Sequence, residues 1–201
     1  MNSTMLSPDF RQLIEYDQFV EVGWFGFVEG QDAYNRKVHI DTDASNWTLC
    51  VYSHVSFADG GKHIRIGKAE RKLKERLSAW PYHICGALNN DMIATNKRFA
   101  GSTPPWEAQG WLDYLADQGG RGLLFAMRGP DRGSLSATEL EHAKRQLRSK
   151  EKELILRYQA PLNNDRYSRA GKARMEAWVA EYGPPTKIWR RSPPAPLASR
   201  T

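Results

Sequence analysis

Glu151 sits in a stretch whose apolar residues recur at helical spacing. At about 100° per residue, such a helix sets Leu140, Leu147, Leu154, Ile155 and Tyr158 on one face with Glu151 at its centre. A carboxylate so placed needs a cation, a metal ion or a cleft, because burying an unpaired charge is costly. It either pairs with an arginine at the edge of the core for structural reasons alone or serves a site. Glu153 points the other way and reads as a solvated glutamate. Arg76 has a comparable place in a shorter helical pattern, about 60° from Leu73 and flanking the apolar stripe, while Arg71, Lys72, Lys74 and Glu75 lie further out. Its planar fork suits a phosphate or a carboxylate such as Glu151. Snorkelling along the stripe is the structural alternative.

A third group comes from two strands. Cys50, Tyr52 and His54 share one face of the first, and His63, Arg65 and Gly67 share a face of the second. One tyrosine, two histidines and one arginine could therefore line a single surface, although half-buried aromatics are ordinary in strands.

The elements that must position these residues follow from periodicity and breakers. Residues 8–19 are helical in pattern and 19–28 alternate, with Val20, Val22, Trp24 and Gly26 on one parity. A polar connection carrying Asp41, Asp43, Ser45 and Asn46 leads to a strand at 47–55. Gly60 and Gly61 turn the chain into a return strand at 63–66, so 47–67 forms a β-hairpin. A helix spans 69–80 and stops at Pro81, 85–102 has no clear period, and a helix at 106–116 lies between Pro104-Pro105 and Gly119-Gly120. A buried strand at 122–127 precedes the longest helix, which opens on Ser136 and Glu139 in capping-box spacing and runs to about Tyr158, before Pro161. A basic helix, 169–181, follows, with Met175, Trp178 and Val179 able to dock on the body. The Pro-, Arg- and Ser-rich end, 184–201, reads as a mobile tail in which Trp189, Arg190 and Arg191 are either phosphate contacts or solvated.

The bulk properties narrow the classes. The 201 residues, with seven Trp, fit one domain of ordinary size with some decoration. No apolar run approaches the roughly 20 residues that cross a bilayer, and the start lacks a secretory signal, so the expected address is cytoplasmic, without membrane association. Cys50 and Cys85 cannot build a disulfide framework or a four-cysteine zinc site and read as buried free thiols. A net charge of +6 favours a polyanionic partner, since Lys and Arg that neutralise phosphates release condensed counterions.

In their order along the chain, these residues resemble the GIY-YIG nuclease superfamily. Cys50-Val51-Tyr52 stands at its first motif and Arg65-Ile66-Gly67, extended by Lys68 and Ala69, at its second. Arg76 matches the arginine of its helix with about one extra residue of spacing. Glu151-Lys152-Glu153-Leu154-Ile155, then Pro161 and Asn163, matches its glutamate segment and is the most specific part. The likeness runs from about Trp47 to Asn163. It implies an α+β fold with a small, mainly antiparallel three-stranded central sheet flanked by helices. It also implies an N-terminal extension at 1–46 with an extra helix and strand, a nuclease-like domain at 47–167 with an insertion at 84–120, and a basic helix and tail at 168–201. By resemblance, Glu151 would hold one divalent cation, Mg²⁺ or Mn²⁺. Arg76 would stabilise charge on the scissile phosphate, Tyr52 would help activate the attacking water, and Asn163 would shape the site near the glutamate. DNA is the implied partner, and no small-molecule cofactor is implied.

Arg65 is the departure, since it stands where the second motif has tyrosine. With a pKa above about 12, an arginine offers no free lone pair at neutral pH, and losing a general base commonly costs about 10²- to 10⁴-fold. Tyr52 remains, Lys68 could lower its pKa, and His54 or His63 titrates in the useful range. Two expectations follow: a metal-dependent DNA endonuclease, or a non-catalytic DNA-binding module in which Arg65 is an extra phosphate contact.

Overall fold

The Ser7 hydroxyl accepts from the Phe10 amide at 3.2 Å and Pro8 follows, so the chain enters α1 (Pro8–Tyr16) capped, with proline where its missing N–H costs nothing. Phe10 and Ile14 turn inward. The computed structural model describes residues 6–27, 36–78, 98–100, 104–116, 121–163, 167–184 and 186–188. Expectations for Pro81, Cys85, Gly119, Gly120 and the tail from Trp189 onward lie outside them.

β1 (Val20–Phe27), β2 (Arg36–Ile40), β3 (Cys50–Ser56), β4 (Lys62–Ala69) and β6 (Arg121–Met127) form one antiparallel sheet in the order β2-β1-β6-β3-β4. The fold is thus α+β with an antiparallel sheet flanked by helices. The expected count of three central strands is corrected to five. β3, β4 and β6 are the expected ones, and β1 adds to the free edge of β6 and brings β2 with it. A separate parallel pair joins β5 (Arg98–Ala100) to β7 (Thr186–Ile188).

Every residue of β3 is buried, as a strand between two neighbours and two packed faces requires. On one face Val22, Phe25, Tyr52, Leu124 and Trp111 cluster with Leu73 and Leu77. These come in part from α3 (Leu73–Leu77) and α4 (Pro105–Ala116), with α2 (Thr42–Ser45) beside α3. On the other face Val51, Val55, Ile66 and Phe125 meet Phe10 and Ile14 of α1 and Leu147, Leu154 and Ile155 of α5 (Ala137–Tyr158).

Ser136 and Glu139 make the expected capping box of α5, and Gln159 ends that helix in the left-handed region at φ 50°. Helix α3 is shorter than the expected 69–80. Ala69 belongs to β4, paired with Cys50, so the helix starts only at Leu73. Helix α6 (Arg169–Tyr182) docks as expected through Trp178, whose ring lies 6.2 Å from that of Trp106 in α4. Among the described residues, no helix is long and apolar enough to cross a membrane.

Candidate functional site

β4 is the last strand of the sheet, and a cleft of about 720 Å³ opens along it. Because alternate side chains of a strand leave on opposite faces, β4 feeds the cleft from both sides. Arg65 and Gly67 face α3 and α4, whereas Lys68 faces α5. Arg65, Lys68, Arg76, Glu151 and Asn163 all line it, and Arg148 and Lys152 add positive charge from α5.

Lys68 Nζ donates to Glu151 Oε2 at 2.7 Å, with both side chains partly exposed. The carboxylate in the apolar stripe thus finds its cation in lysine rather than arginine. Arg76 instead donates through Nε to the Tyr52 hydroxyl at 3.2 Å and forms no ion pair among the described residues. Tyr52 is only 3% exposed and lies opposite Gly67. A Cβ at Gly67 would come within 2.6 Å of the phenol oxygen, so the glycine leaves room for the ring.

Asn163 holds the outer edge of β4. Its Nδ2 donates to the Ile66 carbonyl at 2.7 Å, and its Oδ1 accepts from the Ile66 amide at 2.8 Å. The Leu162 amide also donates to the Ile64 carbonyl at 2.9 Å. The turn after α5 therefore supplies the neighbour that an edge strand lacks, and it fixes α5, with Glu151, against Lys68.

The two histidines do not reach the cleft. His54 is 2% exposed, edge-on to Phe25 and Trp111 at 4.8 Å each and to Tyr52 at 5.7 Å. His63 was expected on the face of Arg65, but the ladder shifts there: His54 pairs with Arg65 and Val55 with His63, leaving Ile64 as an extra residue. That bulge turns His63 to the opposite face, among Phe10, Phe19 and Tyr158. Its Nδ1 lies 2.7 Å from the Ser53 hydroxyl, and burial lowers its pKa to about 4, with Asp17 pulling the other way. Neither ring is placed to take a proton from a water in the cleft. Cys50 is buried and free, and burial pushes its thiol to about 12.

Glu107 was missed. It lies on α4, within the stretch read as an insertion, is 9% exposed and lines the cleft, where its carboxylate meets the Arg65 guanidinium. Arg65 Nη1 also donates to the Leu162 carbonyl at 3.3 Å. Burial lowers the Arg65 pKa from its ordinary value, opposed by Tyr52 and Glu151 and reinforced by Arg76. Glu107 stands one helical turn before Trp111, so the argument that singled out Glu151 applies to it as well.

Among the described residues, no group of three or more His, Cys, Asp or Glu could hold a metal ion. A single carboxylate such as Glu151 would suit only a hard cation that keeps most of its water, and Lys68 would compete for it. The chain matches no protein-family model, and comparison with curated proteins and with solved structures finds no match.

Proposed function

We propose that this cleft binds DNA and hydrolyses its phosphodiester bonds as a divalent-metal-dependent endonuclease of the GIY-YIG type. One observation carries the reading. Lys68, Arg76 and Glu151, from β4, α3 and α5, line one cleft, where Lys68 bonds to Glu151, and Arg76 bonds to Tyr52 of β3, buried beneath it.

Arg76 takes up the charge that grows on a nonbridging oxygen as water, giving its proton to solvent, bonds to phosphorus and the bond from phosphorus to one sugar oxygen breaks, that oxygen taking a proton from solvent. Tyr52 holds its Nε, which leaves the two Nη nitrogens for that oxygen. A divalent cation held by Glu151 would supply further positive charge at the phosphate. Lys68 holds the Glu151 carboxylate in place in the free protein, then turns to a phosphate when the carboxylate is needed elsewhere.

The test is nicking of supercoiled plasmid by the wild type and by Glu151→Ala, with Mg²⁺, with Mn²⁺ and with chelator. Nicking that requires both metal and Glu151 supports the nuclease, and intact plasmid under all conditions sinks it. A second reading, a DNA-binding module without catalysis, is favoured by the burial of Tyr52, His54 and His63 away from the cleft surface and by Arg65 at the tyrosine position. Salt-sensitive binding to DNA without nicking is its signature.

A further inference from the structure

Arg65 is bound on one side only. Its Nη1 meets both the Glu107 carboxylate and the Leu162 carbonyl, while Nε and Nη2 have no hydrogen-bond partner among the described residues, and the side chain borders the cleft. A guanidinium offers five N–H donors in a fixed plane, so anchoring one nitrogen orients the remaining edge. The anchor is unusual in origin. Glu107 comes from α4, outside the hairpin and the two helices that carry the other site residues, and its carboxylate is nearly buried. A carboxylate in a cleft for a polyanion repels its ligand unless it does something else there.

We propose that Glu107 is a positioning residue that holds Arg65 by Nη1, so that the free Nε and Nη2 edge receives a backbone phosphate of nucleic acid beside the one at Arg76. The position left without a tyrosine thereby becomes a substrate-binding cation, and the inserted helix becomes part of the site. The inference rests on the reading of the cleft as a nucleic-acid site, but it holds whether or not the bond is cut. Glu107 neutralises Arg65 in the free protein, where a lone buried guanidinium would be costly. When phosphate arrives, it meets a fork that is already fixed, so little side-chain entropy remains to be lost.

The test is fluorescence anisotropy of a short labelled DNA duplex over a salt series, with chelator present to block cleavage and thermal melts to check folding. Glu107→Leu removes a negative charge from the cleft, so bulk electrostatics predicts tighter binding, whereas loss of positioning predicts weaker binding, which is the expected result. Glu107→Gln keeps a carbonyl acceptor for Nη1 and binds at least as well as the wild type. The paired variant R65Q/E107Q leaves the net charge unchanged and remains a comparison should Glu107→Leu fail to fold. It binds about tenfold more weakly, with a salt dependence reduced by about one phosphate contact. Tighter binding by Glu107→Leu, or an unchanged affinity and salt slope in R65Q/E107Q, overturns the proposal while the nucleic-acid reading stands. A wild type that does not bind the duplex overturns both.

Discussion

Asn163 completes the backbone of Ile66 from both sides, donating to its carbonyl at 2.7 Å and accepting from its amide at 2.8 Å. The strand edge and the end of α5 are joined through this one side chain and the neighbouring Leu162 amide. Asn163→Ala leaves a part-buried donor and acceptor without partners, at a cost of about 1–3 kcal/mol each if water cannot reach them. The expected result is a lower urea midpoint. Because the same contact sets Lys68 against Glu151, the proposed nicking activity should fall under conditions where the protein is still folded. An unchanged midpoint would show that the edge of β4 finds other partners.

Gly67 and Tyr52 are coupled by space. A methyl group at position 67 would come within 2.6 Å of the phenol oxygen and 2.7 Å of the ring carbon that bears it, so the ring must move. Overpacking of this kind costs about 1–3 kcal/mol. Gly67→Ala should destabilise the protein by that amount, and by much less in a Tyr52→Leu background. A double-mutant cycle of unfolding free energies measures the difference, and strict additivity would deny the contact.

These couplings show what could be read in advance and what could not. The capping box of α5, the hairpin and the apolar stripe around Glu151 are local, set by residues three or four apart or across one turn. β2 went unread because Arg36–Ile40 carries only two apolar residues, as an edge strand can. The place of β1 beside β6 is a pairing across roughly a hundred residues, which no periodicity encodes. Strict alternation put His63 with Arg65, and the single extra residue at Ile64 reversed it. Of the eight residues singled out, Arg65, Lys68, Arg76, Glu151 and Asn163 border the cleft, and Tyr52 joins them beneath Arg76.

The buried His63 gives stability a pH dependence. Its pKa is about 4 in the folded chain against an ordinary 6.5, so the unfolded chain takes up the proton first as pH falls. The stability that neutral His63 allows is fully present above 6.5 and is lost progressively down to about 4, by roughly 3 kcal/mol at most. Urea midpoints of the wild type should therefore fall more steeply across that window than those of His63→Phe. Parallel curves for the two proteins would remove His63 as the cause.

Lys68 donates to one oxygen of Glu151, so on the proposed reading ammonium and divalent cation would compete for one carboxylate. The pair is mostly but not fully buried, and a partly exposed ion pair is worth about 1 kcal/mol, or several-fold to about tenfold in an equilibrium. Lys68→Met should therefore bind Mn²⁺ more tightly by about that factor in a calorimetric titration of the free protein, and Glu151→Gln should lose the binding. On DNA the order reverses. Lys68→Met lacks a cation that turns to phosphate, so its affinity for a duplex in chelator is lower than that of the wild type, with a shallower salt dependence. Tighter metal binding together with weaker DNA binding in one variant is what a lysine shared between carboxylate and phosphate must give. If Lys68→Met changes neither, the Lys68–Glu151 bond is a structural ion pair, and the metal reading of Glu151 fails with it.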